Sequence, residues 1–92
     1  MSTQALLFKY IQNSEKVLAE IKLKQNNQVK SQDNVIELVE YAKRYLSDAK
    51  YYGERQQYET GLVSVAYCEG VLDALRLLGL VEFTWPNTQK KP

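Results

Sequence analysis

The residues that could do chemistry in this chain are three charged side chains in its last long apolar segment. Glu69, Asp73 and Arg76 follow one another at i, i+4 and i+7, a spacing that places them on one side of a helix. Asp48 lies in the preceding segment, within a run of tyrosines. Two interpretations follow. One is a polar network in which Arg76 and tyrosine hydroxyls satisfy the carboxylates, and the other is a carboxylate site for a divalent cation or a nucleotide phosphate.

The polar network is the better interpretation, because cation sites of this kind usually contain more acids and Arg76 would lie on the metal. The chain of 92 residues has no histidine and one cysteine. This excludes histidine general-base catalysis, a Cys–His nucleophile pair and a disulfide within the chain. We therefore expect no catalytic residue, no metal and no cofactor. The predicted network consists of Tyr45, Asp48, Tyr52, Glu69, Asp73 and Arg76.

Apolar residues at helical spacing predict two helices in the first part of the chain. The first covers residues 3–25, and the polar run 25–28 predicts a turn. The second ends near Gly53, which suits a left-handed C-cap. Its start carries three residues that suit an N-cap, namely Ser31, Asp33 and Asn34.

A third helix is predicted over residues 57–78 and ends at Gly79. Leu80 then occupies the position that packs back on the last turn in a Schellman cap. Residues 81–85 are too few for a stable strand without a partner, so we expect an extended tail whose aromatic side chains pack on the helices. The predicted fold is all-α, an antiparallel up-down-up bundle over residues 1–86 with a frayed end at 87–92.

The third helix is apolar on most of its circumference. Between residues 60 and 79 its only charged residues are those of the short stripe described above. Two neighbouring helices cannot cover so wide an apolar surface. The tail, a second copy of the chain or another protein must therefore cover it. The predicted contact residues are Tyr67, Val71, Ala74 and Leu78, with Phe83 and Trp85 of the tail completing the patch.

The charge is nearly balanced at +1 but unevenly distributed. Residues 1–32 carry five lysines against two glutamates, whereas residues 33–82 carry five basic and nine acidic residues. This asymmetry favours docking within the molecule or head-to-tail association, which salt would weaken. Weak RNA binding through the basic first helix is a minority alternative, and its candidate residues are Lys16, Lys22 and Lys24.

No apolar run approaches the ~20 residues of a bilayer span. We therefore expect a protein without membrane association. The single cysteine fits a reducing compartment, which predicts a cytoplasmic location.

Two sequence runs resemble the archaeal domain-of-unknown-function 357 family. They are Tyr-Leu-x-Asp-Ala-x-Tyr-Tyr at residues 45–52 and Glu-Gly-x-Leu-Asp-x-Leu-Arg-x-x-Gly at residues 69–79. The resemblance covers the second and third helices and, more loosely, the first. It implies a short soluble three-helix bundle and implies no particular activity.

These observations together predict a non-catalytic helical interaction module. It would self-associate or dock on a protein partner through the third helix and the tail. The alternatives are the carboxylate site for a metal or nucleotide phosphate and the weak RNA binder.

Overall fold

A computed structural model of the chain describes residues 1–24 and 32–86. Its elements in chain order are α1 (Thr3–Glu20), β1 (Lys22–Leu23), α2 (Gln32–Glu54), α3 (Tyr58–Leu77) and β2 (Val81–Glu82). The three helices pack against one another, which confirms the predicted all-α bundle with an extended tail on it. The predicted turn at 25–28, the cap candidate Ser31 and the predicted frayed end at 87–92 lie outside the described residues.

Helix α1 begins as a capped helix and ends earlier than predicted. The Ser2 hydroxyl accepts a hydrogen bond from the Ala5 backbone N–H at 3.1 Å, which satisfies one free donor of the first turn. At the other end Ile21 is extended, so the prediction that the helix continues to residue 25 is wrong. The chain extends there because Lys22 and Leu23 pair antiparallel with Glu82 and Val81.

The start of the tail is therefore a strand with a partner, which the sequence prediction missed. The backbone N–H of Lys24 also donates to the Leu80 carbonyl oxygen at 3.1 Å and prolongs the pairing. Val81 is buried and packs against Val35, Val39 and Leu75. The short β1–β2 pair thus joins the end of α1 to the end of α3 and covers one end of the core.

Helix α2 extends past the glycine that was predicted to end it. Gly53 is helical and buried, and a Cβ added there would lie 3.3 Å from Leu7 Cδ2. The left-handed residue is Gln56, with a φ of 64°. The prediction of a Gly53 cap is wrong because this glycine allows α1 to approach α2 rather than allowing the chain to turn. Asp33 lies in the first turn of α2.

The end of α3 confirms the predicted Schellman cap. Gly79 has a φ of 76°, and its N–H donates to the Arg76 carbonyl at 2.9 Å. The Leu80 N–H donates to the Leu75 carbonyl at 2.9 Å, and the Leu80 side chain packs against the cluster that contains Leu75. These two bonds satisfy the carbonyl oxygens of Leu75 and Arg76, which have no partner within the helix.

Candidate functional site

Helix α3 contributes one side to the core. Its buried residues recur at three- and four-residue spacing. Most of them join the core cluster that includes Leu7 of α1 and Leu46 of α2. Leu75 instead packs with Val35 and Val81. This side is the part of α3 that the other two helices cover. The buried residues of α3 are Gly61, Val65, Cys68, Leu72 and Leu75.

The opposite side of α3 is apolar and exposed to solvent. We call it the α3 face, and it consists of Val63, Ala66, Tyr67, Gly70, Ala74, Leu77 and Leu78. Val63 and Tyr67 are each 59% exposed, and Leu78 is 69% exposed. No residue of this face carries a charge. Residues up to Pro86 do not cover it, so within the described chain the tail leaves this surface open, contrary to one of the sequence alternatives.

The middle of the α3 face is a shallow groove with small side chains. Its lining comes from α3 alone and includes Ala66, Gly70 and Ala74, with Val63, Tyr67 and Val71 around them. A Cβ added at Gly70 would meet no heavy atom within 4 Å. The groove thus exposes helix backbone at its centre, between larger apolar side chains at both ends.

The apolar surface continues from α3 onto the neighbouring helix. The rings of Tyr67 and Tyr45 stack, with centroids 5.2 Å apart and planes at 23°. Tyr41 and Leu38 of α2 are also exposed, and helical spacing places them on the same flank of α2 as Tyr45. We call Leu38, Tyr41 and Tyr45 the α2 flank.

The structure divides the predicted contact residues into two groups. Tyr67, Ala74 and Leu78 are exposed on the α3 face, and the half-buried Val71 lines its groove. Phe83 and Trp85 do not line the groove and instead pack against the core cluster.

The two tail aromatics lie at the charged edge of α3 and outside the groove, and their part in the contact patch stays a prediction. Their rings meet edge to face at 5.1 Å. The Trp85 indole N–H donates to Asp73 Oδ1 at 2.8 Å, and the Arg76 guanidinium lies 5.9 Å from the centre of the Phe83 ring. These contacts hold the tail beside the bundle.

Only part of the predicted polar network is brought together. Arg76 donates to Asp73 Oδ1 from Nε at 3.2 Å and from Nη2 at 3.1 Å. The third donor is Trp85, which sequence reasoning had assigned to the contact patch. In the described part of the chain no tyrosine hydroxyl binds Asp73 or Glu69. The sequence did contain a signal for this bond, because the indole N–H of a buried tryptophan usually has a hydrogen-bond acceptor.

The remaining predicted members lie apart from this cluster. Asp48 is exposed and lines a shallow surface depression with Tyr41, Arg44 and Tyr45. Tyr52 is half-buried and meets the Tyr51 ring edge to face. Among residues 1–24 and 32–86 no three acidic, cysteine or histidine side chains form a group that could hold a metal ion.

Burial perturbs two ionisable groups of α3. Desolvation raises the pKa of the Cys68 thiol to about 11, a neighbouring Ser14 hydroxyl opposes the rise, and the charge of Glu69 adds to it. Desolvation also raises the pKa of Glu69, with the negative charge of Asp73 as the second cause. The thiol is therefore protonated and enclosed at neutral pH, which is the state of an unreactive cysteine.

The lysines of the RNA alternative do not form one helical stripe. Lys16 is on α1, whereas Lys22 is in β1 and Lys24 follows it. All three are exposed. The described ion pair between α1 and α2 involves Glu15 and Lys50 rather than a lysine of α1.

The fold and this surface define a small all-α bundle with one exposed apolar helix face. The chain belongs to the family described as protein of unknown function (DUF357), whose profile matches residues 9–81. The matched region contains the whole α3 face and ends before Phe83 and Trp85. Comparison with curated proteins and with solved structures gives no significant match.

A helix that spans a bilayer needs about 20 predominantly apolar residues, and the helices of the described residues fall short of this. None of them is both long enough and apolar enough to cross a membrane.

Proposed function

We propose that the protein is a non-catalytic interaction module that binds a protein surface through the α3 face. The observation that carries this proposal is the exposure of Val63, Tyr67, Leu77 and Leu78 along one uncharged side of a helix. Contiguous apolar surface of this kind is characteristic of binding sites, whereas isolated exposed apolar residues are ordinary. The partner is a second copy of the chain or another protein.

The geometry suits binding better than it suits chemistry. The Asp73 carboxylate is occupied by Arg76 and Trp85, and the Cys68 thiol is buried. The α3 face provides an anchor of the kind that dominates binding energy, because Tyr67 is a large aromatic residue already stacked on Tyr45. The proposal also places the protein in the cytoplasm, where its cysteine stays reduced.

Site-specific photo-crosslinking in the cells that naturally make the protein tests this function. A benzophenone amino acid replaces Tyr67 in one variant and Tyr51 in a matched control. The control position lies on α2 and is 53% exposed, against 59% for Tyr67. We expect discrete crosslinked species from position 67 and not from position 51. Equal crosslinking at the two positions, or none at either, would contradict the proposed function.

A further inference from the structure

No contact or backbone angle in the described chain requires glycine at position 70. Gly70 lies in the interior of α3 with ordinary helical backbone angles, and the space where a Cβ would project is empty. Glycine is the least favourable helix-interior residue after proline. A glycine at an exposed interior position is useful when another backbone approaches it closely.

The residues around Gly70 have a symmetric arrangement along α3. The small residues Ala66 and Ala74 are four positions away on either side, and the larger Val63 and Leu77 are seven positions away. If two copies cross antiparallel at Gly70, each residue n lies opposite residue 140−n of the other copy. Val63 then meets Leu77 of the second copy, and Ala66 meets Ala74. A surface that matches itself under a two-fold rotation is what an isologous interface requires.

Charge also favours a second copy as the occupant. The α3 face has no charged residue, so two such faces bury no like charges against each other. The net charge of +1 leaves little repulsion between whole molecules. An antiparallel crossing also sets the two helix dipoles in opposite directions.

The available area indicates the class of complex that such a contact would form. From residue 63 to residue 78 the α3 face is about 22 Å long and about 10 Å wide, which is roughly 220 Å². A stable interface buries about 800 Å² per partner. The α2 flank roughly doubles the area and is continuous with α3 through the Tyr45–Tyr67 stack. The total still falls within the range of weak, reversible complexes, below about 1,200 Å² for both partners.

We propose that two copies of the chain form a reversible homodimer in which their α3 helices cross antiparallel at Gly70 and their α2 flanks complete the interface. This inference rests on the proposed function, because it names the partner of the α3 face. We expect the dimer to dissociate in the micromolar range or above, because a contact of this size is typical of weak, transient complexes.

Sedimentation equilibrium of the purified chain, from about 1 µM to about 1 mM, tests the dimer. We expect reversible dimerisation that Gly70→Leu weakens by about tenfold or more, since leucine holds the helices apart. Ala5→Leu is the control, because it enlarges an exposed residue of α1 away from the face. Nonspecific apolar association would instead strengthen in both variants, and this result would overturn the proposal.

A second variant keeps the test decisive if Gly70→Leu does not fold. Ala74→Arg places a charge in the groove at an exposed position, and we expect it to abolish the dimer while its circular dichroism stays helical. An unchanged dimer in this variant would overturn the proposal.

The antiparallel orientation has its own measurement. Ala66→Cys and Ala74→Cys are made as separate variants and treated with a short bismaleimide, singly and mixed. The native Cys68 is fully buried and does not compete. We expect the mixture to crosslink and each variant alone to crosslink poorly. Efficient crosslinking of each variant with itself would indicate parallel helices and overturn the antiparallel crossing.

Failure of the dimer and failure of the proposed function give different results. A purified chain that stays monomeric at all concentrations removes the homodimer. If position 67 nevertheless crosslinks in cells to a protein of different mass, the α3 face is still an interaction surface and only its occupant was wrong. A monomer without crosslinks at position 67 contradicts both.

Discussion

Gly61 and Gly70 lie on the same helix in opposite surroundings. A Cβ at Gly61 would be 2.7 Å from Leu7 Cδ2 and 3.3 Å from the Ala49 carbonyl oxygen, whereas a Cβ at Gly70 would touch nothing. Leu7 is fully buried and cannot easily move aside. Gly61 therefore serves the approach of α1 and α2 to α3, while Gly70 serves nothing inside the described chain.

The two glycines should respond to alanine with opposite signs. We expect Gly70→Ala to raise the free energy of unfolding by about 1 kcal/mol, the usual difference in helix propensity. We expect Gly61→Ala to lower it by about 1–2 kcal/mol, because overpacking outweighs that gain. Urea denaturation at low protein concentration measures both in the monomer. Changes of the same sign would contradict the packing described for Gly61.

Glu69 gives the chain a pH dependence of known sign. Its pKa is raised in the folded state by desolvation and by the charge of Asp73, so folding favours the protonated form. The resulting stabilisation is complete below the ordinary carboxyl pKa and is lost as the pH rises through the higher folded-state pKa.

Glu69→Gln removes this dependence. We expect the variant to be more stable than the natural chain at pH 7 and to lose that advantage as the pH falls to about 4. Thermal unfolding at a series of pH values measures the difference. An advantage that is the same at every pH would show that ionisation of Glu69 is not its cause.

At the scale of elements, the tail and α3 are joined by one polar cluster. Asp73 accepts hydrogen bonds from both Arg76 and Trp85, and the Trp85 ring packs edge to face on Phe83. The indole N–H therefore adds a directional bond to a contact that would otherwise be apolar. This bond sets the position of the last described residues along α3.

Trp85→Phe removes the indole N–H together with part of the apolar contact of the larger ring, and a double-mutant cycle separates the two effects. We expect the hydrogen bond itself to contribute about 1 kcal/mol to the free energy of unfolding, less than the ~1.5–3 kcal/mol usual for a bond to a charged group, because Asp73 is partly exposed. Asp73→Ala serves as the partner in the double-mutant cycle by urea denaturation, because alanine removes the acceptor that asparagine would keep. Strictly additive effects of the two substitutions would contradict a direct bond between them.

The helices could be predicted from the sequence because each has a wide apolar stripe and because Gly79 and Leu80 have the spacing of a Schellman cap. The role of Gly53 could not be predicted, because a glycine at a helix contact and a glycine at a helix end have the same local sequence. The β1–β2 pair could not be predicted either. Residues 81–85 alternate between apolar and polar side chains, but the partner strand is only two residues long and far away in the chain, so no local signal identifies it.

The sequence predicted the part of the candidate site that depends on helical periodicity and did not predict the part that depends on contacts between distant residues. The uncharged arc of α3 follows from helical periodicity, and Tyr67, Ala74 and Leu78 are on it. The position of the tail depends on which donor reaches Asp73, and spacing along the chain does not encode this. The position of Phe83 and Trp85 at the charged edge of the helix therefore could not be predicted.

At the scale of the whole molecule, the uneven charge does little to hold the helices together. The ion pair described between α1 and α2 is Glu15 with Lys50, and both side chains are 45% exposed. The core between the helices is apolar. Exposed ion pairs of this kind contribute about 0–1 kcal/mol to the free energy of unfolding.

Salt should therefore have little effect on either folding or association. We expect the free energy of unfolding to change by less than about 0.5 kcal/mol, and dimerisation not to weaken, when NaCl is raised to about 0.5 M. Denaturation and sedimentation at both salt concentrations measure this. A dimer that dissociates at high salt would instead indicate the head-to-tail electrostatic association that the charge distribution favours.

The pairing of β1 with β2 has a consequence for how the molecule opens. Since Leu23 pairs with Val81, α1 and β1 cannot leave the α2–α3 hairpin without breaking the β1–β2 pair. The strand that follows α3 does not have to leave with them, because Val81 also packs on Val35 of α2 and Leu75 of α3. We therefore expect the amide hydrogens bonded between β1 and β2 to exchange whenever α1 opens, while the amide hydrogens of the α2–α3 hairpin stay protected.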